Sequence, residues 1–369
     1  MDATFTRRGF LPDPDPLRRF PAELGLDRLD ELGRDLPSLL EDKNARLYLR
    51  ELDIPKWPKD SVGPDDLPAL RLYYVRLGFV ASGYVNQIGQ APATTLPKNI
   101  AVPLCHACGL LDRPPILSYD GYALYNWKRF DPAGPIALGN IDTIQNFVHM
   151  YDEHWFILVH VEIEAHAARV LDAIARIQDA LRSGAADSVN EQLWTIAGAV
   201  NEQIRVLRRI PEKMDSRLYY KTFRPYIRFF ENVIYEGVSS DGGGAPVRMN
   251  FRGETGAQSS IMPTLVAFMK IPHQPSMLTN HLLDMRNYMP AEHRAVIEAV
   301  EAMPSIREVA DKHPFNAILD AMAEFRSIHY GWAQEYINRW TDDPRGTGGT
   351  PYMQWLQQLI DETRAFKLA

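Results

Sequence analysis

The stretch 314–340 carries the strongest chemical signal in the chain. Phe315, Ile318, Leu319, Met322, Phe325, Trp332 and Tyr336 recur at helical spacing, and His329 falls within that apolar stripe. Such a histidine is either a hydrogen-bonded core residue or an axial haem ligand. One helical imidazole in an apolar, sulfur- and aromatic-rich pocket suffices for the second role. Arg326, three residues earlier on an adjacent face, could reach a haem propionate. A second cluster lies in 143–184, where His149, His154, His160 and His166 accompany Glu162 and Glu164. The pairs His160/Glu164 and Glu162/His166 are four residues apart, but a di-metal bundle expects Glu-x-x-His pairs on two helices. Packed or solvated structural roles fit most of these residues better. Cys105-His106-Ala107-Cys108 is a single CxxC without further ligands, and reads as structural. Arg224 stands in the aromatic run Tyr219-Tyr220-Lys221-Thr222-Phe223-Arg224-Pro225-Tyr226. It is either a surface or propionate-facing arginine or a carboxylate clamp.

The elements that must position these groups are mostly helical. Successive helices are expected over 143–184, 187–210, 217–236, 258–270, 276–288, 291–302 and 314–340, and convincing β-alternation is nearly absent. Many of the 27 prolines fall in residues 1–140, which therefore read as short helices tied by turns. The break at 131–142 marks the expected domain boundary: a small N-terminal domain over 1–140 and a large helical domain over 141–369. The glycine loops at 239–244, 253–256 and 343–350 match neither a Walker loop nor a strand-led dinucleotide fingerprint, so nucleotide binding is not expected.

Composition narrows the function further. With 40 Lys and Arg against 47 Asp and Glu, the 369-residue chain has a net charge of −7 and no basic block, so nucleic acid is not an expected partner. Two cysteines fit a reducing compartment. No apolar run reaches the ~18 residues of a membrane span. Thr6-Arg7-Arg8-Gly9-Phe10-Leu11 looks like a twin-arginine signal, but prolines and aspartates replace the apolar region that should follow. A cytoplasmic protein without a membrane partner is expected.

At these residues the chain resembles the indoleamine 2,3-dioxygenase family. The resemblance runs through Gly9–Pro12, Leu96–Cys105 (LPKNIAVPLC), Pro114–Tyr119 (PPILSY), Asn126-Trp127-Lys128 and Asp131-Pro132. It continues at Phe156–Val159, Val233–Gly237, Gly256–Ser260, Asp284–Pro290, Arg326–His329 and Gly346–Thr350. The order and spacing of these pieces carry the specificity. The resemblance implies a mainly α fold, in which a small, mostly helical N-terminal domain covers a large all-helical domain holding haem b. It implies His329 as proximal iron ligand and Arg224 as the partner of the tryptophan carboxylate. Phe156, Tyr119, Tyr122, Tyr219, Tyr220, Thr255 and Gly256 are then substrate-binding positions, and Arg326 and Thr255 face the cofactor. Gly346–Thr350 matches a mobile loop that closes over substrate, with Thr347 as its hydrogen-bonding threonine; His160, Arg224 and Thr347 form the expected catalytic set.

The reaction implied is insertion of both atoms of O2 across the indole C2–C3 bond of L-tryptophan, or a close indole, giving N-formylkynurenine, with an electron donor keeping the haem ferrous. His160 stands where mammalian members have serine and the related tryptophan dioxygenases have histidine. It is expected to accept a hydrogen bond from the indole N–H; the alternative is a core histidine bonded to a neighbour. Tyr219 and Tyr220 replace common phenylalanines and give a more polar rim. Pro225 disfavours α geometry at Arg224. Two other functions remain open: a biosynthetic relative that oxygenates or rearranges a modified tryptophan, and a haem-based gas or redox sensor without turnover.

Overall fold

The computed structural model describes residues 3–238, 248–343, 345–349 and 353–369. The helical half is built largely as expected. Helices α1 (Ala3–Arg8), α2 (Asp27–Glu41), α3 (Ala45–Glu51), α4 (Leu67–Val85) and α5 (Lys98–Leu110) precede the long α6 (Tyr151–Ser183) and α7 (Ala186–Leu207). After α8 (Ser216–Leu218) come α9 (Ile261–Met269), α10 (Met277–Arg286), α11 (Ala291–Glu301), α12 (Lys312–Tyr336) and α13 (Met353–Ala365). Among the described residues no helix is long and apolar enough to cross a membrane.

Helix α6 is the shared wall. Ile157, Leu158 and Val161 enter a core with α2, α4 and α5. Trp155, Val159, Ile163 and Ala167 enter a second core with α7, α9, α11 and α12. The N-terminal segment is pinned to α6 at Gly9, whose backbone is left-handed (φ 65°). A Cβ there would overlap the Glu164 carbonyl and the Ala168 amide, so only glycine allows both the turn and the close approach.

The N-terminal helices are longer than proline content suggests. α4 spans 19 residues, and α2 and α5 carry Pro37 and Pro103 in their interiors. Pro37 cannot donate to the Gly33 carbonyl four residues back. Gln145 Nε2 takes that oxygen instead at 2.8 Å, which lets the helix continue.

The stretch 217–236 is not one helix. It runs through α8 and a π turn into a strand, β4 (Phe230–Tyr235). β4 pairs in parallel with β1 (Thr95–Leu96) and antiparallel with β5 (Arg248–Phe251). Phe230, Val233 and Tyr235 bury in the first core, so the apolar run reads as strand once β1 supplies a partner. A second ribbon pairs β2 (Trp127–Arg129) with β3 (Ile141–Thr143), and so joins the two sides of the 131–142 break.

Candidate active site

Two π turns, Asp120–Leu124 and Tyr219–Phe223, present the pocket tyrosines. π turns are rare and concentrate at functional sites. The first is anchored by a buried ion pair between Asp120 and Arg113, with Tyr125 N donating to Asp120 O at 2.8 Å. The second closes with Arg224 N donating to Tyr219 O at 3.1 Å. Arg224 itself adopts α geometry (φ −52°, ψ −37°) despite Pro225. The π hydrogen bond holds it there, which corrects the expectation drawn from the proline.

Phe156 is the centre of an aromatic wall. Its ring lies 4.5 Å from His160, 5.4 Å from Tyr219, 6.0 Å from Phe223 and 6.2 Å from Tyr122. Tyr119 meets His160 edge-on at 5.9 Å. His160 Nδ1 lies 2.7 Å from the Phe156 carbonyl. A carbonyl oxygen only accepts, so Nδ1 carries the proton and Nε2 is left as an acceptor. Burial pulls the His160 pKa down and keeps the ring neutral.

His329, on α12, keeps a large accessible surface, yet protein surrounds it so closely that burial drives its pKa down to about 4. A ring in that condition lines an internal hollow. The other influence on it is the charge His160 would carry, so the two imidazoles lie within electrostatic reach of each other. Below His329, Phe315, Ile318, Leu319 and Met322 are fully buried, as the stripe predicts. A neutral imidazole without a hydrogen-bond partner, opening into a hollow, has the donor chemistry of an axial iron ligand, and the residues present fit haem. Arg326 is buried, with Nη1 committed to the Leu359 carbonyl (3.0 Å) and to Thr363 Oγ1, while Nη2 makes no hydrogen bond among the described residues. Burial lowers its pKa to about 10, still cationic at neutral pH.

Arg224 is 6% exposed, and its Nε has no partner. The guanidinium lies 5.2 Å over the Tyr220 ring, meets the Arg345 carbonyl at 3.5 Å and hydrogen-bonds the Tyr219 hydroxyl, and among the described residues it makes no ion pair. That leaves a buried fork free for an anion. Thr347 is buried beside it in a segment held by Phe229 N to Thr347 O (2.9 Å) and Arg252 Nη1 to Gly348 O (3.3 Å). Gly348 lies against the Thr255 methyl group. Thr350 and the loop 239–244 fall outside the described residues. Thr255 caps the turn Gly256–Gln258 through its hydroxyl, and Gly256 itself is exposed with open space around it.

Of the two i,i+4 pairs in the sequence, the structure separates His160 from Glu164 and keeps His166 near Glu162. Glu164 bonds not His160 but Tyr119 OH (2.9 Å) and Ser259 Oγ (2.7 Å); burial lifts its pKa to about 7. His149 meets Ser38, His154 meets Asp142 and Thr143, and His166 lies 3.9 Å from Glu162. Burial pushes the Cys105 and Cys108 thiols up to about 12, which keeps them protonated.

Two site residues carry no sequence signal that singles them out. A Cβ at Gly253 would overlap the backbone of Ile227, Arg228 and Phe229, so this glycine seats the 252–256 loop directly against the segment after Arg224. Glu254 follows it. Its only hint in sequence is a carboxylate flanked by Gly253 and Thr255-Gly256 in a loop.

Comparisons with known proteins identify the family. The family model described as indoleamine 2,3-dioxygenase matches residues 3–342. An indoleamine 2,3-dioxygenase of Saccharomyces cerevisiae is 29% identical, covering 97% of this chain and 91% of its own. Indoleamine 2,3-dioxygenase 2 of Mus musculus is 27% identical over 96% of this chain and 92% of its own. A third relative with the same enzyme name, from Aspergillus candidus, is 28% identical over 97% and 95%.

Proposed function

Since the chain belongs to the indoleamine 2,3-dioxygenase family and is an oxidoreductase of that kind, we propose that it inserts both atoms of O2 across the indole C2–C3 bond of L-tryptophan, giving N-formylkynurenine. One observation carries the reading. The partnerless, neutral His329 opens into a hollow within reach of His160, beside an aromatic wall and a buried arginine fork with no anion of its own. Haem b would be held by His329, with Arg326 and Thr255 as its propionate partners, and would supply, once reduced by an external donor, the iron chemistry that O2 activation needs.

This chain's residues do the rest. Phe156, Tyr119, Tyr122 and Tyr219 enclose the indole and exclude water. His160 Nε2 accepts the indole N–H and fixes the ring's orientation. Arg224 takes the substrate carboxylate through both arms of its fork, with Tyr220 beneath it and the Thr347 hydroxyl alongside. Fixing the indole in a single orientation within the pocket is itself a large part of the acceleration. Residues 1–140 act as the cover of this pocket, and two protonated thiols suit work in the cytoplasm.

The test supplies purified, haem-loaded, reduced protein with L-tryptophan and O2. A product two oxygen atoms heavier, with kynurenine-type absorbance after deformylation, supports the proposal. Haem binding without product from tryptophan overturns it.

A further inference from the structure

Three carbonyls in residues 345–349 turn toward the body of the protein. Arg345 O meets Arg224 Nη2 at 3.5 Å, Thr347 O accepts Phe229 N at 2.9 Å, and Gly348 O accepts Arg252 Nη1 at 3.3 Å. The first contact is the longest, and it draws on the arginine that a substrate carboxylate would take. The other two do not involve Arg224, so they can persist with substrate in place. Both come from segments knitted together at Gly253, whose tight approach to residues 227–229 fixes Phe229 N and Arg252 relative to each other. Of those two donors, Arg252 is the side chain.

Arg252 is in turn set by α10 and the residues just after it. Tyr288 OH accepts the Arg252 backbone N–H at 2.9 Å, and Asp284 Oδ2 accepts Nε at 3.0 Å. The Arg252 and Asp284 side chains are 38% and 40% exposed, where an ion pair adds little stability. Its effect is directional: with Nε held, the planar guanidinium presents Nη1 along one line, toward Gly348 O. The loop has little play once seated there. A Cβ at Gly348 would stand 3.4 Å from the His281 ring and 3.6 Å from the Thr255 methyl group, and Gly349, left-handed at φ 84°, packs on the Phe229 ring. Between these contacts lies Thr347, buried at 9% exposure.

We propose that Arg252, oriented by Asp284, is a positioning residue: it grips the Gly348 carbonyl and so keeps the Thr347 hydroxyl beside Arg224. A helix outside the pocket thereby tunes how tightly the site holds the amino-acid end of its substrate. The proposal rests on the reading of Arg224 and Thr347 given above and extends it to residues that touch no substrate.

Hydrogen exchange and equilibrium binding of L-tryptophan to the ferric, haem-loaded protein test this without turnover. Arg252→Gln should speed exchange over residues 345–349 and at Phe229 by ~3- to 30-fold and weaken L-tryptophan binding by a similar factor, since one hydrogen bond from a charged donor is lost. Exchange in α12 and haem content should stay as in wild type. Asp284→Asn keeps the donor and loosens its aim, so a smaller loss of the same kind is expected, and it supplies the answer if Arg252→Gln folds poorly. Arg252→Lys, with the charge but not the fork, should fall between wild type and Arg252→Gln. Because Arg252 acts through Thr347, adding Arg252→Gln to Thr347→Ala should weaken binding no further. Unchanged loop exchange in Arg252→Gln, or binding losses that add in full in the double variant, overturns the proposal. Thr347→Ala alone is scored separately: unchanged L-tryptophan binding there would sink the substrate role of Thr347, while loop exchange in Arg252→Gln still decides whether Arg252 holds the loop.

Discussion

Replacing His160 by serine separates two roles that a distal histidine can play. The Phe156 carbonyl fixes the proton on Nδ1, and burial keeps the ring neutral, so Nε2 offers a lone pair to the indole N–H. Losing one neutral hydrogen bond amounts to ~0.5–1.5 kcal/mol. The ring also packs against Phe156 at 4.5 Å and Tyr119 at 5.9 Å, and aromatic pairing of this kind contributes ~0.5–1.5 kcal/mol beyond area. If both contributions fall on transition-state binding, kcat/KM drops by ~1–3 kcal/mol, roughly fivefold to 150-fold. Obligatory proton abstraction would demand far more. Steady-state rates with L-tryptophan and 1-methyltryptophan distinguish the cases, because the methylated ring has no N–H to offer. The variant should narrow the gap between the two substrates. A thousandfold loss or greater with tryptophan refutes the orienting role and makes the histidine a chemical participant.

His329→Ala should lose most bound haem or hold it with an altered Soret band; an unchanged spectrum at full occupancy refutes the ligand assignment. Arg224→Ala removes one partner of a buried charge pair, a loss of ~2–5 kcal/mol, so KM for tryptophan should rise steeply while tryptamine is affected much less; equal losses exclude the clamp. Glu164 has a folded pKa raised by burial from 4.5 to about 7, so the folded state binds the extra proton and stability falls as pH rises through that window. Each pKa unit is ~1.4 kcal/mol, so the contribution is on the order of 3 kcal/mol. Glu164→Gln should reduce the fall of unfolding free energy between pH 5 and 8 without abolishing it, since Glu153 and Glu254 are raised into the same range, and a wild-type slope retained in full by the variant would disprove the linkage.

Periodicity alone places α7 and α9–α12 close to their observed bounds, because each carries a long apolar face, but it starts α6 at 143, where the chain is still in β3, rather than at Tyr151. It fails at 217–236. Val233, Ile234 and Tyr235 form an apolar run of ambiguous period, and the partner that makes it a strand is two residues long and lies at Thr95–Leu96. Pro37 misleads in the opposite direction, since its helix survives through a side chain more than a hundred positions away. At the site, His329, Arg224 and Phe156 stand out through residue type or resemblance. Glu254 does not, because nothing local distinguishes a buried loop carboxylate from a solvated one; the steric demand of Gly253 on residues 227–229 decides it.

The two π turns make the pocket a matter of chain length. At about 100° per residue in an α-helix, positions five apart diverge by roughly 140° around the axis. The widened turn instead bonds Arg224 N to Tyr219 O and Tyr125 N to Asp120 O, restoring each pair to one side. Clamp and wall are therefore in phase only because each segment contains one surplus residue. Deleting a single residue between Tyr219 and Arg224 would rotate the guanidinium out of the pocket while leaving both side chains in the chain. Conservative substitutions there leave the phase intact, so a register change marks loss of this site more surely than a change of residue type.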